Sequence, residues 1–430
     1  MVQGNSDKAG QGIDAREDRV RIEGTLTAGW ASVDFTPSEP VPLAGYGHWA
    51  DRMSSSVRDP LMVRSLALKD GDVGVILVAW DLLMVTEDLY QGLRSRLADT
   101  GFHVLAHATH THSSMGGFWD GFLAARFMGR YRPWAMRHLL DAAERSARSA
   151  IASLAPAEAR AGSALLPGMN GNRRDPVGPK DEELTVLRLH RADSDAVIVS
   201  YPAHPVIVAE RDHHAISADF PGEVVGQLQR DFDFAMYVQG SLGAVDVLFP
   251  DDKTLSSDRN IELMAGPLAS SAASLARSCA PAGGRLQWLA EEWALGRPDS
   301  RPLFDSEGWK PLDFPFRKVA NFLVRDVPPR ARVSGFRLGS FALLGFQADL
   351  GVSIGLSAKA HARERGALHP VMASQTNGYI GYLHLKGEYR VAPPASHLEM
   401  ARYENAMNFF GHDTGDRVLE AARTALDRAT

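Results

Sequence analysis

From Gly29 onward the chain alternates short apolar runs with stretches of helical spacing, and this order limits the folds open to it. Val75–Ala79 (VILVA), His103–Ala108 (HVLAHA), Ala196–Tyr201 (AVIVSY), Phe234–Val238 (FAMYV), Phe341–Gly345 (FALLG) and Leu368–Ala373 read as buried strands. Helical spacing marks Glu87–Leu97, Glu223–Arg230 and Ser353–Arg365, and Leu139, Leu140, Ala143, Ala147, Ile151 and Leu154 trace one helical face. Strands that alternate with helices predict an α/β protein, with mixed β-sheets flanked by helices. Two aromatic-rich stretches, Phe118–Trp134 and Trp288–Phe322, stand outside the alternation. They either line a pocket or pack long surface loops.

The bulk numbers exclude several classes of function. The chain has 430 residues, 45% of them apolar and 23% charged, and a formal net charge of −6. That balance has no basic footprint for nucleic acid. No apolar run is long enough for a membrane span. Cys279 is the single cysteine, which excludes a disulfide framework, and in its Ala/Ser/Leu helical run it reads as a small buried thiol. The first twenty-odd residues are polar and lack the apolar core of a signal peptide. The expectation is a disordered tail over residues 1–23, and a cytoplasmic protein.

The residues able to do chemistry cluster where strands end. His103–Ala108 runs into Thr109-His110-Thr111-His112, AVIVSYPA into His204, and FAMYVQG into Gly243 and Asp246. FALLGFQA runs into Asp349, and VMASQ into Asn377, Tyr379 and Tyr382. The carboxyl edge of an α/β sheet is where ligand sites are built, so five such endings point to one pocket. His110 and His112 are two apart and would share a side of a continued strand. Such a pair suits zinc, which neutral imidazoles bind at about 2.0–2.1 Å, or else it is a hydrogen-bonded loop feature. The metallo-β-lactamase pattern HxHxDH fails at Ser114 and Met115, and no Walker loop, G-x-S-x-G elbow or G-x-G-x-x-G is present.

Taken in order, the motifs resemble the catalytic domain of the neutral/alkaline, non-lysosomal ceramidases. AGWASVDFTP with PLAGYG, ATHTHSSMGG, NGNRRDP with DEELTVLRL, YPAHPVIV with ISADFPG, NGYIGYL with KGEY, and ARYENAMNFFG follow that family's order. The resemblance implies a single zinc hydrolase domain over residues 24–430. It implies one zinc ion held by His110, His204, Asp349 and Tyr382, with Asp349 standing where the family has glutamate. His112 would support those ligands or face the substrate. Tyr403 and Arg173 would bind the developing oxyanion or the substrate's polar head, and Asp246 survives from the motif G-D-V-S-P.

In that motif this chain reads GAVDVLFP, and Leu248 occupies the position of the family's serine. An apolar side chain can neither carry a proton nor form an acyl intermediate, so hydrolysis here would rest on a zinc-bound water. With so few residues after the last motif, the expectation is a catalytic domain alone, without the family's C-terminal immunoglobulin-like domain. The expected function is zinc-dependent hydrolysis of an amide or ester bond in an acylated small molecule. An acyl-transferring or ring-closing enzyme on the same fold, and a non-catalytic binding relic, are the alternatives. Oligomeric state is not legible.

Overall fold

A computed structural model of the chain describes residues 26–46, 52–121, 124–248, 254–304, 318–322, 324–325, 327–390 and 395–428. The expected tail over residues 1–23 lies outside them, as do residues 305–317 of the second aromatic stretch. The strands of the first half are β1 (Leu26–Asp34), β2 (Met62–Asp70), β3 (Val73–Trp80), β4 (His103–Ala108) and β5 (Ala155–Leu165). They continue with β6 (Asn170–Asn172), β7 (Glu183–Arg191), β8 (Asp195–Tyr201), β9 (Phe234–Gln239) and β10 (Val245–Val247). The second half holds β11 (Leu286–Ala294), β12 (Arg330–Leu338), β13 (Phe341–Phe346), β14 (Asp349–Leu350), β15 (His369–Ala373) and β16 (Tyr382–Leu383).

The larger sheet has the order β9-β8-β7-β5-β1-β2-β3-β4, and the smaller has the order β11-β12-β13-β15. Both are mixed, as expected. Most neighbours are antiparallel, but β8/β9, β3/β4 and β13/β15 are parallel. Parallel neighbours need a crossover, usually helical. Helices α1 (Glu87–Arg96), α4 (Asp219–Leu228) and α6 (Val352–Glu364) supply the three crossovers. The loops at the carboxyl ends of these parallel strands are where the chemical residues lie.

The two sheets pack face to face. Ala28, Leu66 and Leu105 of the larger sheet share one apolar cluster with Phe336, Phe341 and Leu343 of the smaller. Helices cover the outer faces. After the short helix α2 (Ala124–Met128), helix α3 (Pro133–Ala152) lies on β1 and β2, α4 lies on β9, and α5 (Ser257–Ser278) lies on β7. On the other side α6 lies on β15, and α8 (Thr414–Asp427) lies on β11 and β12. Helix α3 shows why the sequence folds this way. Leu139, Leu140, Ala142, Ala143, Ala147 and Ala150 are buried on one stripe, and a fully buried leucine such as Leu139 contributes about 1.5–3 kcal/mol. The expected face was too long at its end, because the helix stops at Ala152 and Leu154 lies beyond its Ser153 cap. Helix α4 begins at Asp219, four residues before the expected start, since a Phe-Pro-Gly sequence hides its first turn. Cys279 is buried as expected but follows α5 in extended conformation. Among the described residues no helix is long and apolar enough to cross a membrane.

Candidate metal centre and its cavity

The larger sheet nearly closes on itself, and that brings the histidines together. Strands β4 and β9 lie at opposite ends of the strand order, yet the Gln239 backbone N–H donates to His107 Nε2 at 3.0 Å. The buried Gln239 side chain donates to the carbonyls of Thr109 and Ala203, clamping the two histidine loops to each other. The strand does not continue through His110, as the spacing suggested. It ends at Ala108, and His110 has φ +69. The left-handed residue turns the chain, and the rings still converge, with centroids 4.9 Å apart for His110 and His112 and 5.0 Å for His110 and His204.

Non-glycine residues at positive φ cost about 1–3 kcal/mol each and gather at functional sites. Among the described residues five are in that state, and four of them, His110, Ala244, Gln375 and Asn377, adjoin this cluster in chain or space, while Asp219 opens α4. Gly45, at φ +114, closes over His112, and a Cβ there would stand 2.6 Å from His112 Nδ1.

The ligand atoms of His110, His112 and His204 all lie within 4.8 Å of one another, a grouping that can hold a metal ion. His110 Nδ1–H donates to the Leu83 carbonyl at 2.6 Å, and His204 Nδ1–H donates to the Val245 carbonyl at 2.6 Å. Those bonds turn both Nε2 lone pairs inward, the tautomer that a metal ligand needs. Burial pushes the His110 ring down to about 3 and holds His112 and His204 well below the ordinary histidine range, so the rings are neutral near pH 7. His110 Nε2 lies 3.3 Å from His112 Nε2 and 3.5 Å from Asp349 Oδ1, and His204 Nε2 lies 3.1 Å from the Tyr382 hydroxyl. Two nitrogens at about 2.0–2.1 Å from a tetrahedral zinc would be roughly 3.4 Å apart, so the donor set fits such an ion.

Asp349 and Tyr382 face each other as partners in the parallel pair β14/β16. Asp349 is buried, and burial pushes its carboxyl up to about 7 against the Tyr379 hydroxyl, which donates to Oδ2 at 2.7 Å. Tyr382 is anchored by Arg173, whose Nη2 donates to its hydroxyl at 2.9 Å while Nε donates to Glu404 at 2.8 Å. Asp246 on β10 stands 3.6 Å from Arg173 Nη1. Burial alone would raise the Glu404 carboxyl, but Arg173, His384 and Arg174 beside it hold it well below the usual carboxylate range. Tyr403, on α7 (Leu398–Ala406), is 36% exposed, and its ring lies 5.8 Å from that of Tyr382.

His110, His112, Asp349, Tyr382 and Tyr403 line one cavity, whose other walls include Trp119, Phe127, Tyr379, Met407 and Phe409, and His204 lies buried behind them. The first aromatic stretch therefore reaches the cavity. The described part of the second does not, since Trp288 lies on β11 and stacks on His103 at 4.5 Å. Leu248 is 51% exposed and faces Gly171 rather than this cavity. Residue-level reading missed Gln239, Gln375, His384 and Glu404. Glu404 follows Tyr403 in the quoted ARYENA motif, Gln239 ends β9 and Gln375 lies two residues past β15, so the signals were present but carried no distinctive spacing.

Together these features define a class: a mixed α/β sandwich with a histidine-rich candidate metal centre at its sheet ends. Residues 27–233 match the family model "Neutral/alkaline non-lysosomal ceramidase, N-terminal", and the resemblance expected from the motifs holds. The neutral ceramidase of Mycobacterium tuberculosis is 26% identical over 240 residues, covering 50% of this chain and 37% of that protein's length. The crystal structure of neutral ceramidase from Pseudomonas aeruginosa superposes with a TM-score of 0.75 at 18% identity, covering 94% of this chain and 75% of that one. A ceramidase complexed with C2 gives the same TM-score at 19% identity. These structures share the fold.

Proposed function

We propose that the protein is a zinc-dependent hydrolase of an amide bond, or of an ester, in an acylated small molecule. The observation that carries this reading is the convergence beside a partly apolar cavity of His110 with Asp349, at 3.5 Å, and of His204 with Tyr382, at 3.1 Å, the ligand atoms of His110, His112 and His204 all lying within 4.8 Å of one another. The ceramidase relatives support amide chemistry in particular. We assign His110, His204, Asp349 and Tyr382 to the metal, with His112 beside them facing the substrate. Bound zinc would supply a Lewis acid and lower the pKa of a water molecule.

The chain's own residues do the rest. The Leu83 and Val245 carbonyls fix the two histidine tautomers. Arg173, fixed by Glu404, holds the Tyr382 oxygen against His204. Its polar contacts with Glu404, Tyr382 and Asp246 make it a positioning residue rather than a direct contact for the substrate. Tyr403, half-exposed on the cavity wall, donates its phenolic proton toward the charge that develops on the carbonyl oxygen. Trp119, Phe127, Met407 and Phe409 take up the acyl chain and exclude water. Leu248 has no part in the reaction.

The test is metal analysis of protein purified without added zinc, joined to turnover of a panel of N-acyl and O-acyl substrates. His110→Ala and His204→Ala should lose metal and activity together, whereas His112→Ala should keep metal and lose activity. A parent protein that binds no divalent metal, or turns over none of the panel, would overturn the reading.

A further inference from the structure

The segment from Trp119 to His138 contrasts in charge with the rest of the chain. It carries Arg126, Arg130, Arg132 and Arg137 against a single acid, Asp120, in a chain whose formal net charge is −6. Arg130 and Arg137 are exposed, and their guanidinium groups enter no hydrogen bond or ion pair among the described residues. Tyr131 and Trp134 stand beside them, 37% and 39% exposed. Trp134 and Arg137 are three apart on α3 and so share a face of the helix. Exposed aromatic rings interleaved with unpaired guanidinium groups suit a boundary between water and lipid, where the ring is half-desolvated and the cation meets a phosphate.

The position of this face gives it a purpose. Trp119 and Phe127, from the same segment, wall the cavity that holds the histidines. Tyr403 stands on another wall, and one turn earlier on α7 Met400 is 40% exposed. The segment that supplies two of the cavity's wall residues thus also presents exposed cationic and aromatic side chains, on a chain that is acidic overall. We propose that this face docks the protein on an anionic lipid bilayer, so that an acyl chain passes between lipid and cavity with little exposure to water. The passage of substrate rests on the acyl-hydrolase reading, but the docking does not. A lipid surface is favoured over an acidic protein because the segment that would touch it also builds the wall where an acyl chain would enter.

The experiment is co-sedimentation of the full chain with vesicles of phosphatidylcholine alone and of phosphatidylcholine with phosphatidylglycerol, at low and physiological salt. Binding should require the anionic lipid and weaken as salt rises. Each arginine near an anionic leaflet is worth about fivefold, so Arg130→Gln with Arg137→Gln should weaken binding by about 25-fold. Trp134→Ser should weaken it further. None of these residues lines the cavity, so turnover of a short, water-soluble acyl amide should not change in the variants. Vesicle binding retained by His110→Ala would support docking independently of catalysis. Equal binding to neutral vesicles, no binding to either kind, or variants that bind like the parent would overturn the proposal, and in the last two cases an acidic protein becomes the partner to seek.

Discussion

Arg173 and Tyr382, 209 residues apart in sequence, meet in a 2.9 Å hydrogen bond that fixes the tyrosine oxygen 3.1 Å from His204 Nε2. The guanidinium is itself fixed by Glu404, which is fully buried and accepts from Arg173, Arg174 and the Ala244 backbone N–H. The geometry of one candidate ligand thus depends on a carboxylate that is not a ligand.

Replacing Glu404 tests that dependence. Removing one partner of a buried ion pair leaves the others uncompensated, at a cost of about 3–5 kcal/mol. Glu404→Gln should lower the urea midpoint accordingly. It should also weaken metal binding by about 10–100-fold, as loss of a residue supporting metal ligands does elsewhere. Urea unfolding and a zinc titration check both parts, and an unchanged zinc affinity would separate Glu404 from the metal centre.

The Tyr403 hydroxyl has no hydrogen bond among the described residues, as suits a donor waiting for an oxyanion. Loss of one such donor typically costs about 10²–10³ in kcat. Tyr403→Phe should depress turnover by that factor while zinc content and KM stay near their starting values. A variant with unchanged kcat would remove Tyr403 from the reaction.

Leu248 faces Gly171 and lies away from the cavity, so restoring the family's serine there should not install a nucleophile. Leu248→Ser should turn over substrate no faster than the parent. A gain of orders of magnitude in a steady-state assay would show instead that the parent had lost a serine-dependent reaction.

Acid should destabilise the fold through His107, which is fully buried between Gln239 and Thr376. Burial lowers its pKa from the ordinary 6.5 to about 3. A depressed value means that the unfolded chain takes up a proton first as pH falls. The stabilising contribution is therefore complete above about 6.5 and is lost progressively toward about 3, on the order of a few kcal/mol in all. Asp219 and Asp349, pushed up to about 7, act in the opposite sense, their contribution being full below the ordinary carboxylate value and lost as pH rises through about 7. Comparing the parent with His107→Gln isolates the histidine. On going from pH 7.5 to 5, the urea midpoint of the parent should fall relative to that of the variant, and an equal change in both would remove His107 from the pH dependence.

Much of this molecule is written in local pattern. The apolar runs at 75–79, 196–201 and 341–345 lie within β3, β8 and β13, and the helical spacing at 87–97 and 353–365 gives α1 and α6 within a residue at each end. The reason is that a buried strand or an amphipathic helix must show its periodicity within a few residues. The position of the candidate ligands at strand ends was legible for the same reason, because a break in an apolar run marks where the sheet stops.

What tertiary structure alone decided is how those ends meet. No spacing reveals that β4 and β9, at opposite ends of the strand order, approach closely enough for Gln239 to clamp both histidine loops. Nor does it reveal that Glu404 reaches Arg173 across 231 residues, or that left-handed backbone at His110 turns its ring toward His204. Each contact is a hydrogen bond or ion pair between distant segments, satisfied only because packing buries its groups and leaves them no water. Periodicity reports which face of an element is buried. Which buried polar group answers another is settled by the closure of the sheet.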